Sequence, residues 1–116
     1  MLKIYTYAKC STCRNALKWL DGKSISYKNL PIRETPPSVA ELKKALKAYD
    51  GNIRRLLNTS SQDYRSLGIK DKLDDMKPEE VFGLMQENGN LVKRPFVVDG
   101  NTFLTGFKEE EWKQAL

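Results

Sequence analysis

Apolar and polar residues change rhythm twice along this chain. Lys3-Ile4-Tyr5-Thr6-Tyr7 is a β-branched and aromatic run that predicts a first strand. After a turn at Ala8-Lys9-Cys10 the spacing becomes helical from Ser11 or Thr12, with Ala16, Leu17, Trp19 and Leu20 recurring at helix spacing. Gly22 stands where a C-cap belongs. Ile25-Ser26-Tyr27-Lys28-Asn29-Leu30 predicts a second strand, ended by Pro31. Strand, helix and strand within about thirty residues form a βαβ unit. Its right-handed crossover would set the two strands parallel.

From Thr35 to Gly89 the pattern predicts helices and no strand. Pro36-Pro37-Ser38 is a helix start, with Ser38 as N-cap and Glu41 completing a capping box. That helix is expected to reach about Ala48, before Asp50-Gly51. A helix or turn follows near Ile53 to Leu57, and another from Ser61 to Leu67, stopped by Gly68. Lys77-Pro78-Glu79-Glu80 opens one more, with Val81, Leu84 and Met85 facing inward and Asn88-Gly89 ending it.

Strand patterning then returns at Phe96-Val97-Val98 and Thr102-Phe103-Leu104. Asp99-Gly100 between them predicts a hairpin through a type I′ turn. Gly106 precedes Lys108-Glu109-Glu110-Glu111-Trp112, whose acidic residues suit a helix N-terminus. The order βαβ, helical block, ββα resembles the thioredoxin arrangement. It implies an α/β fold with a mixed four-stranded sheet flanked by helices and a helical insertion at about 35–89. No linker or repeat divides the chain, so one domain over residues 1–116 is expected.

Composition narrows the chemistry. The chain has 116 residues, 40% hydrophobic and 30% charged, which suits a packed core without disulfide staples. No apolar run is long enough to span a membrane and no secretory signal opens the sequence, so a cytoplasmic protein is expected. The formal charge of +5 is modest and suits a solvated basic surface; Lys43, Lys44 and Lys47 fit the polar face of an amphipathic helix. The chain has no histidine, which removes Ser-His-Asp and Cys-His catalysis. Its two cysteines cannot complete a structural zinc site within a monomer, so no metal is expected. No helix-turn-helix or zinc motif points to direct nucleic-acid binding.

Carboxylates, cations and thiols are what remain. Cys10-Ser11-Thr12-Cys13 falls where the first strand passes into the first helix. Unpaired backbone N–H groups and the positive helix end favour an anion there, so the Cys10 thiol is expected to ionise more readily than the free value of about 8.5. Cys13 lies one turn into the helix, within reach to resolve an adduct on Cys10. Lys9 and Arg14 add positive charge nearby. The pair can also be read as two small core residues, since free cysteine is often buried. Placement after a strand and at a helix start favours the redox alternative. In thioredoxin-like folds a cis proline precedes the corresponding strand and packs against the thiol motif. Pro95 is therefore expected to be cis, with the Arg94 guanidinium turned towards an anion or carbonyl near Cys10.

Together, Thr6-Tyr7-Ala8-Lys9-Cys10-Ser11-Thr12-Cys13-Arg14-Asn15-Ala16, Pro36-Pro37, Arg94-Pro95-Phe96-Val97-Val98-Asp99 and Gly106-Phe107 resemble the ArsC arsenate reductase family, in its Spx, MgsR and YffB branches. The resemblance runs from Leu2 to Leu116 and includes Leu56-Leu57-Asn58 through Tyr64-Arg65-Ser66-Leu67-Gly68. It implies catalytic roles for Cys10, Cys13 and Arg94, and substrate contacts from Ser11, Thr12, Arg14 and Pro95. No resident cofactor is implied; glutathione or another thiol would serve as co-substrate. The family's glutathione-coupled arsenate reductases hold oxyanions with three arginines, of which the resemblance retains Arg94. Asn58 and Gly106 stand where the other two would be, and the histidine just ahead of the nucleophile is missing. Two functions are implied. One is a monomeric thiol oxidoreductase acting on a thiol, disulfide or oxyanion. The other is a Spx-like redox-sensing regulator that binds the C-terminal domain of the α chain of RNA polymerase, with Arg54, Arg55 and the Lys43 cluster as candidate contacts.

Overall fold

In the computed structural model, which describes residues 1–116, the first predicted strand is β1, Leu2–Thr6. It leads into α1 (Ser11–Gly22) and β2 (Tyr27–Pro31). The middle of the chain holds α2 (Val39–Ala48), α3 (Gln62–Ser66), α4 (Ile69–Lys72) and α5 (Pro78–Glu87), joined by short 3₁₀ turns. The chain closes with β3 (Phe96–Asp99), β4 (Thr102–Thr105) and α6 (Glu109–Ala115). The sheet order is β2-β1-β3-β4, parallel between β1 and β2 and antiparallel elsewhere. Predicted strand and helix boundaries shift by one or two residues, as fraying ends do.

Alternation along the inner strands divides the core. Leu2 and Ile4 of β1, Val97 of β3 and Leu104 of β4 pack with Ala16, Leu20 and Trp112 from α1 and α6. Tyr5, Phe96 and Phe103 point the other way, onto the helical block, where Leu42, Leu56, Tyr64, Val81, Phe82 and Met85 meet them. Each fully buried Leu, Ile or Phe contributes about 1.5–3 kcal/mol. The sheet is therefore held between α1 with α6 on one face and the insertion on the other. On α5 it is Val81, Phe82 and Met85 that are buried, whereas Leu84 is only half-buried. No helix is long and apolar enough to cross a membrane.

The capping box forms as the sequence requires: the Ser38 side chain accepts from the Glu41 N–H, and Glu41 Oε1 accepts from the Ser38 N–H at 2.9 Å. Glu41 also reaches the sheet, pairing with Lys3 and accepting the Tyr5 hydroxyl at 2.7 Å. One carboxylate thus ties the start of α2 to β1.

Two local expectations are corrected. Gly22 does not cap α1. The left-handed residue is Ser24 (φ 57), whose N–H donates to Asp21 O, while the Ile25 N–H donates to Leu20 O at 3.0 Å. Ile25 packs back onto the cluster that contains Leu20, and this contact fixes the chain reversal at Ser24. The hairpin turn centres one residue later than Asp99-Gly100. Asp99 pairs with Thr102, so Gly100 and Asn101 are central, and of these only Gly100 has positive φ (59). That is the demand of a type II′ turn, not type I′. Gly68 (φ 63) does stop α3, as expected, and a further short helix, α4, starts directly after it. Ile69 and Leu73 are buried there, and their burial holds a turn too short to show a period in the sequence.

Candidate functional site

The tight turn after β1, in which the Cys10 N–H donates to Tyr7 O at 3.0 Å, brings Cys10 to the head of α1. Cys10 is the N-cap: its backbone is extended and its Sγ accepts the Cys13 N–H at 3.4 Å. A sulfur therefore stands where serine or aspartate oxygens ordinarily cap, facing unpaired amides and the positive end of the helix. The first turn of α1 carries no acidic residue to compete.

The two thiols sit in different environments. Cys10 is half-buried and Cys13 is buried at 1% exposure; both are free. Partial burial opposes ionisation of Cys10, but hydrogen bonds from the Cys13 thiol and N–H and the charge of Arg94 outweigh it, holding the thiol below its ordinary range. Burial pushes the Cys13 thiol up, helped by Cys10 and opposed by a bond with the Tyr7 backbone and by Arg94. Cys10 is thus the thiol primed as an anion and Cys13 the one that keeps its proton.

The Arg94–Pro95 peptide is cis, and Pro95 is buried immediately before β3. The Arg94 guanidinium lies 4.8 Å from the Tyr7 ring centroid, and its Nη1 is buried with no hydrogen-bond partner in the protein. Tyr7 is also engaged by Arg33, which is 5.0 Å from the ring and donates to its hydroxyl at 3.0 Å.

Cys10 opens into a cavity of about 540 Å³. Thr12, Asn58, Arg94 and Gly106 share its lining with Cys10. Ser11, Cys13, Arg14 and Pro95 do not line it. Arg14 instead donates to Ala8 O at 3.2 Å and joins Cys13 on a second cavity of about 400 Å³. Gly106 has φ 69, and a Cβ there would stand 3.1 Å from Lys93 Cε. An arginine at that position would meet backbone strain as well as crowding.

Sequence reasoning misses Lys93, Lys108, Thr105 and Phe107 as cavity residues, and gives Arg54 and Arg55 only as surface charge. Lys93 beside Arg94, and Phe107-Lys108 after Gly106, are the available signals. The lining contains five Lys or Arg residues and no carboxylate. No group of three or more His, Cys, Asp or Glu side chains is placed to hold a metal ion. What the arrangement offers is a thiol whose ionisation is favoured, at the edge of a cationic cavity, with a second thiol beneath it.

Comparison with known proteins agrees with this fold. The ArsC family model matches residues 5–115. The chain is 38% identical over 113 residues to YusI of Bacillus subtilis, covering 97% of this chain and 96% of that protein. It is 30% identical to the global transcriptional regulator Spx of Listeria innocua, over 100% of this chain and 87% of the relative. The crystal structure of an ArsC family related protein from Bacteroides fragilis superimposes with a TM-score of 0.91 at 39% identity, covering 99% of this chain and 97% of that one.

Proposed function

The chain belongs to the ArsC family, and from that premise we propose that it is a thiol–disulfide oxidoreductase in which Cys10 attacks and Cys13 resolves. The observation that carries this is the Cys10 sulfur capping α1 while facing a cavity lined with cations. The thiolate of Cys10 attacks one sulfur of a substrate disulfide. A Cys10–substrate S–S bond forms as the substrate S–S bond breaks, and the departing thiolate takes up a proton from solvent. Cys13 then loses its proton and attacks Cys10 Sγ, releasing the second substrate thiolate and leaving a Cys10–Cys13 disulfide. The substrate has gained two electrons, and an external thiol such as glutathione returns the pair to the reduced form. Arg94, braced on Tyr7, orients the bound group.

Efficient arsenate reduction is not part of this proposal. Asn58 and Gly106 line the cavity where the resemblance would put arginines, and each lost charge-assisted bond removes roughly 1.5–3 kcal/mol of anion binding.

Likeness to Spx over the whole chain favours a second role, a redox-sensing regulator that contacts RNA polymerase through the C-terminal domain of its α chain. One experiment addresses both. A redox titration with thiol trapping is expected to show Cys10 and Cys13 lost and regained together. Thiols that stay free across the oxidising range would overturn both roles. Substrate turnover without polymerase capture then supports the enzyme; redox-dependent capture of the purified α domain supports the regulator.

A further inference from the structure

The cavity beside Cys10 is strongly cationic, yet its cations are not equivalent. Arg54 is exposed and reaches outward to Asp74, itself 89% exposed at the side chain. Lys93 and Lys108 carry compact, strongly hydrated charges on long flexible stems. Arg55 is different. Its Nη2 donates to Glu111 of α6 at 3.2 Å, and its guanidinium carbon lies 4.4 Å from the centroid of Tyr49. Tyr49 is fixed in turn, because its hydroxyl accepts the Thr105 N–H at 3.0 Å. The guanidinium is therefore clamped by partners from two sides of the fold. The Glu111 bond occupies one of its five N–H donors. Arg55 stands on the same lining as Asn58 and Gly106, the two neutral positions where family arsenate reductases would carry arginines.

Cavity size says what those donors meet. About 540 Å³ is far more than a single small oxyanion fills, since one water molecule takes about 30 Å³. It lies in the range of cavities that hold organic molecules, roughly 300–1,000 Å³. We infer that Arg55, clamped by Glu111 and Tyr49, is a specificity-determining residue that selects organic disulfides or thiol adducts bearing a carboxylate near the reacting sulfur. The inference rests on Cys10 being the attacking thiol. Arg55 is a binding group and Glu111 and Tyr49 are its positioning residues.

Alkylation by paired reagents tests this without needing the natural substrate. Iodoacetate and iodoacetamide each form an S–C bond at Cys10 and release iodide, but only iodoacetate carries a carboxylate. The ratio of their rates cancels the thiolate fraction and reads attraction of the anion alone. In Arg55→Ala the iodoacetate-to-iodoacetamide ratio is expected to fall about threefold or more, the effect of one unit charge several ångströms away in a partly solvated cavity. Arg55→Lys keeps the charge and is expected to stay within about twofold of the native ratio. Lys18→Ala, an exposed position on α1 outside both cavities, controls for net charge. Circular dichroism verifies folding, and Arg55→Gln replaces Arg55→Ala should the latter not fold. A second arm uses disulfides: dithiodipropionate, a dicarboxylate, is expected to oxidise the native pair faster than the dicationic cystamine. A ratio in Arg55→Ala no lower than in Lys18→Ala, or the reverse order of the two disulfides, overturns the inference. Native Cys10 reacting with neither alkylating reagent faster than the unfolded chain overturns the proposed role of Cys10 itself, and this inference with it.

Discussion

The backbone N–H of Cys13 donates to the Sγ of Cys10 across 3.4 Å, so the geometry that buries one thiol stabilises the anion of the other. The rate of Cys10 alkylation by neutral iodoacetamide should follow its thiolate fraction. With the Cys10 thiol held low, the midpoint of the rate–pH curve is expected below the ordinary thiol value of about 8.5. Arg94→Gln removes a cation that favours the thiolate and is expected to move that midpoint upward. A midpoint unchanged by Arg94→Gln would show that Arg94 does not contribute and that the bonds from Cys13 set the ionisation.

Unequal environments also give unequal mutants. Cys10→Ser is expected to abolish the first attack on a disulfide. Cys13→Ser should still attack and then accumulate a mixed disulfide, visible as an added mass on the intact protein. If Cys13→Ser proves as inert as Cys10→Ser, the roles of the two thiols are wrong.

Glu41 joins α2 to β1. Burial favours its neutral form, but the Lys3 ammonium, the Ser38 N–H and the Tyr5 hydroxyl together hold its carboxyl below the ordinary range. Glu41→Gln should destabilise the protein by about 1–2 kcal/mol at neutral pH, measured by urea unfolding. Because the folded pKa lies below the unfolded one, this contribution is complete above the unfolded value of about 4.3 and is lost as pH falls through the folded value. The gap between native and variant stability is expected to narrow in that acid range. A gap that stays constant under strongly acidic conditions would exclude the ionised carboxylate as its source.

Gly89 sits against the chain just after β2. A Cβ there would stand 2.0 Å from the carbonyl oxygen of Ile32 and 2.9 Å from Arg33 Cα, and both obstacles are backbone. Gly89→Ala is expected to cost about 3 kcal/mol or more, the upper end for overpacking. A shift in urea midpoint equivalent to less than about 1 kcal/mol would mean that the backbone yields more easily than close packing allows.

Local signals make much of this fold legible. Ser38 and Glu41 announce α2 because a capping box is formed by residues only three apart. The β1-α1-β2 unit and the β3-β4 hairpin follow from period changes and turn residues within reach of one another. The cis peptide at Pro95 is expected from likeness to thioredoxin-like folds, not from the residues themselves. Features set by distant partners are harder to see. Arg55 reads as surface charge because Glu111 lies 56 residues away. Ser24 takes the left-handed position expected of Gly22 because packing of Ile25, not conformational freedom, chooses where α1 ends. Cys10 is identified by its neighbours in sequence, but most of the cavity it faces is assembled from segments roughly 40 to 100 residues downstream.

The two backbone bonds of Gly106 couple distant parts of the molecule mechanically. Its N–H donates to Pro95 O at 2.9 Å, and its carbonyl accepts the Trp112 indole N–H at 3.1 Å. The loop bearing Arg94 is thereby buckled to α6, the same helix whose Glu111 grips Arg55. A displacement of α6 is therefore expected to reach Arg94 and Arg55 together.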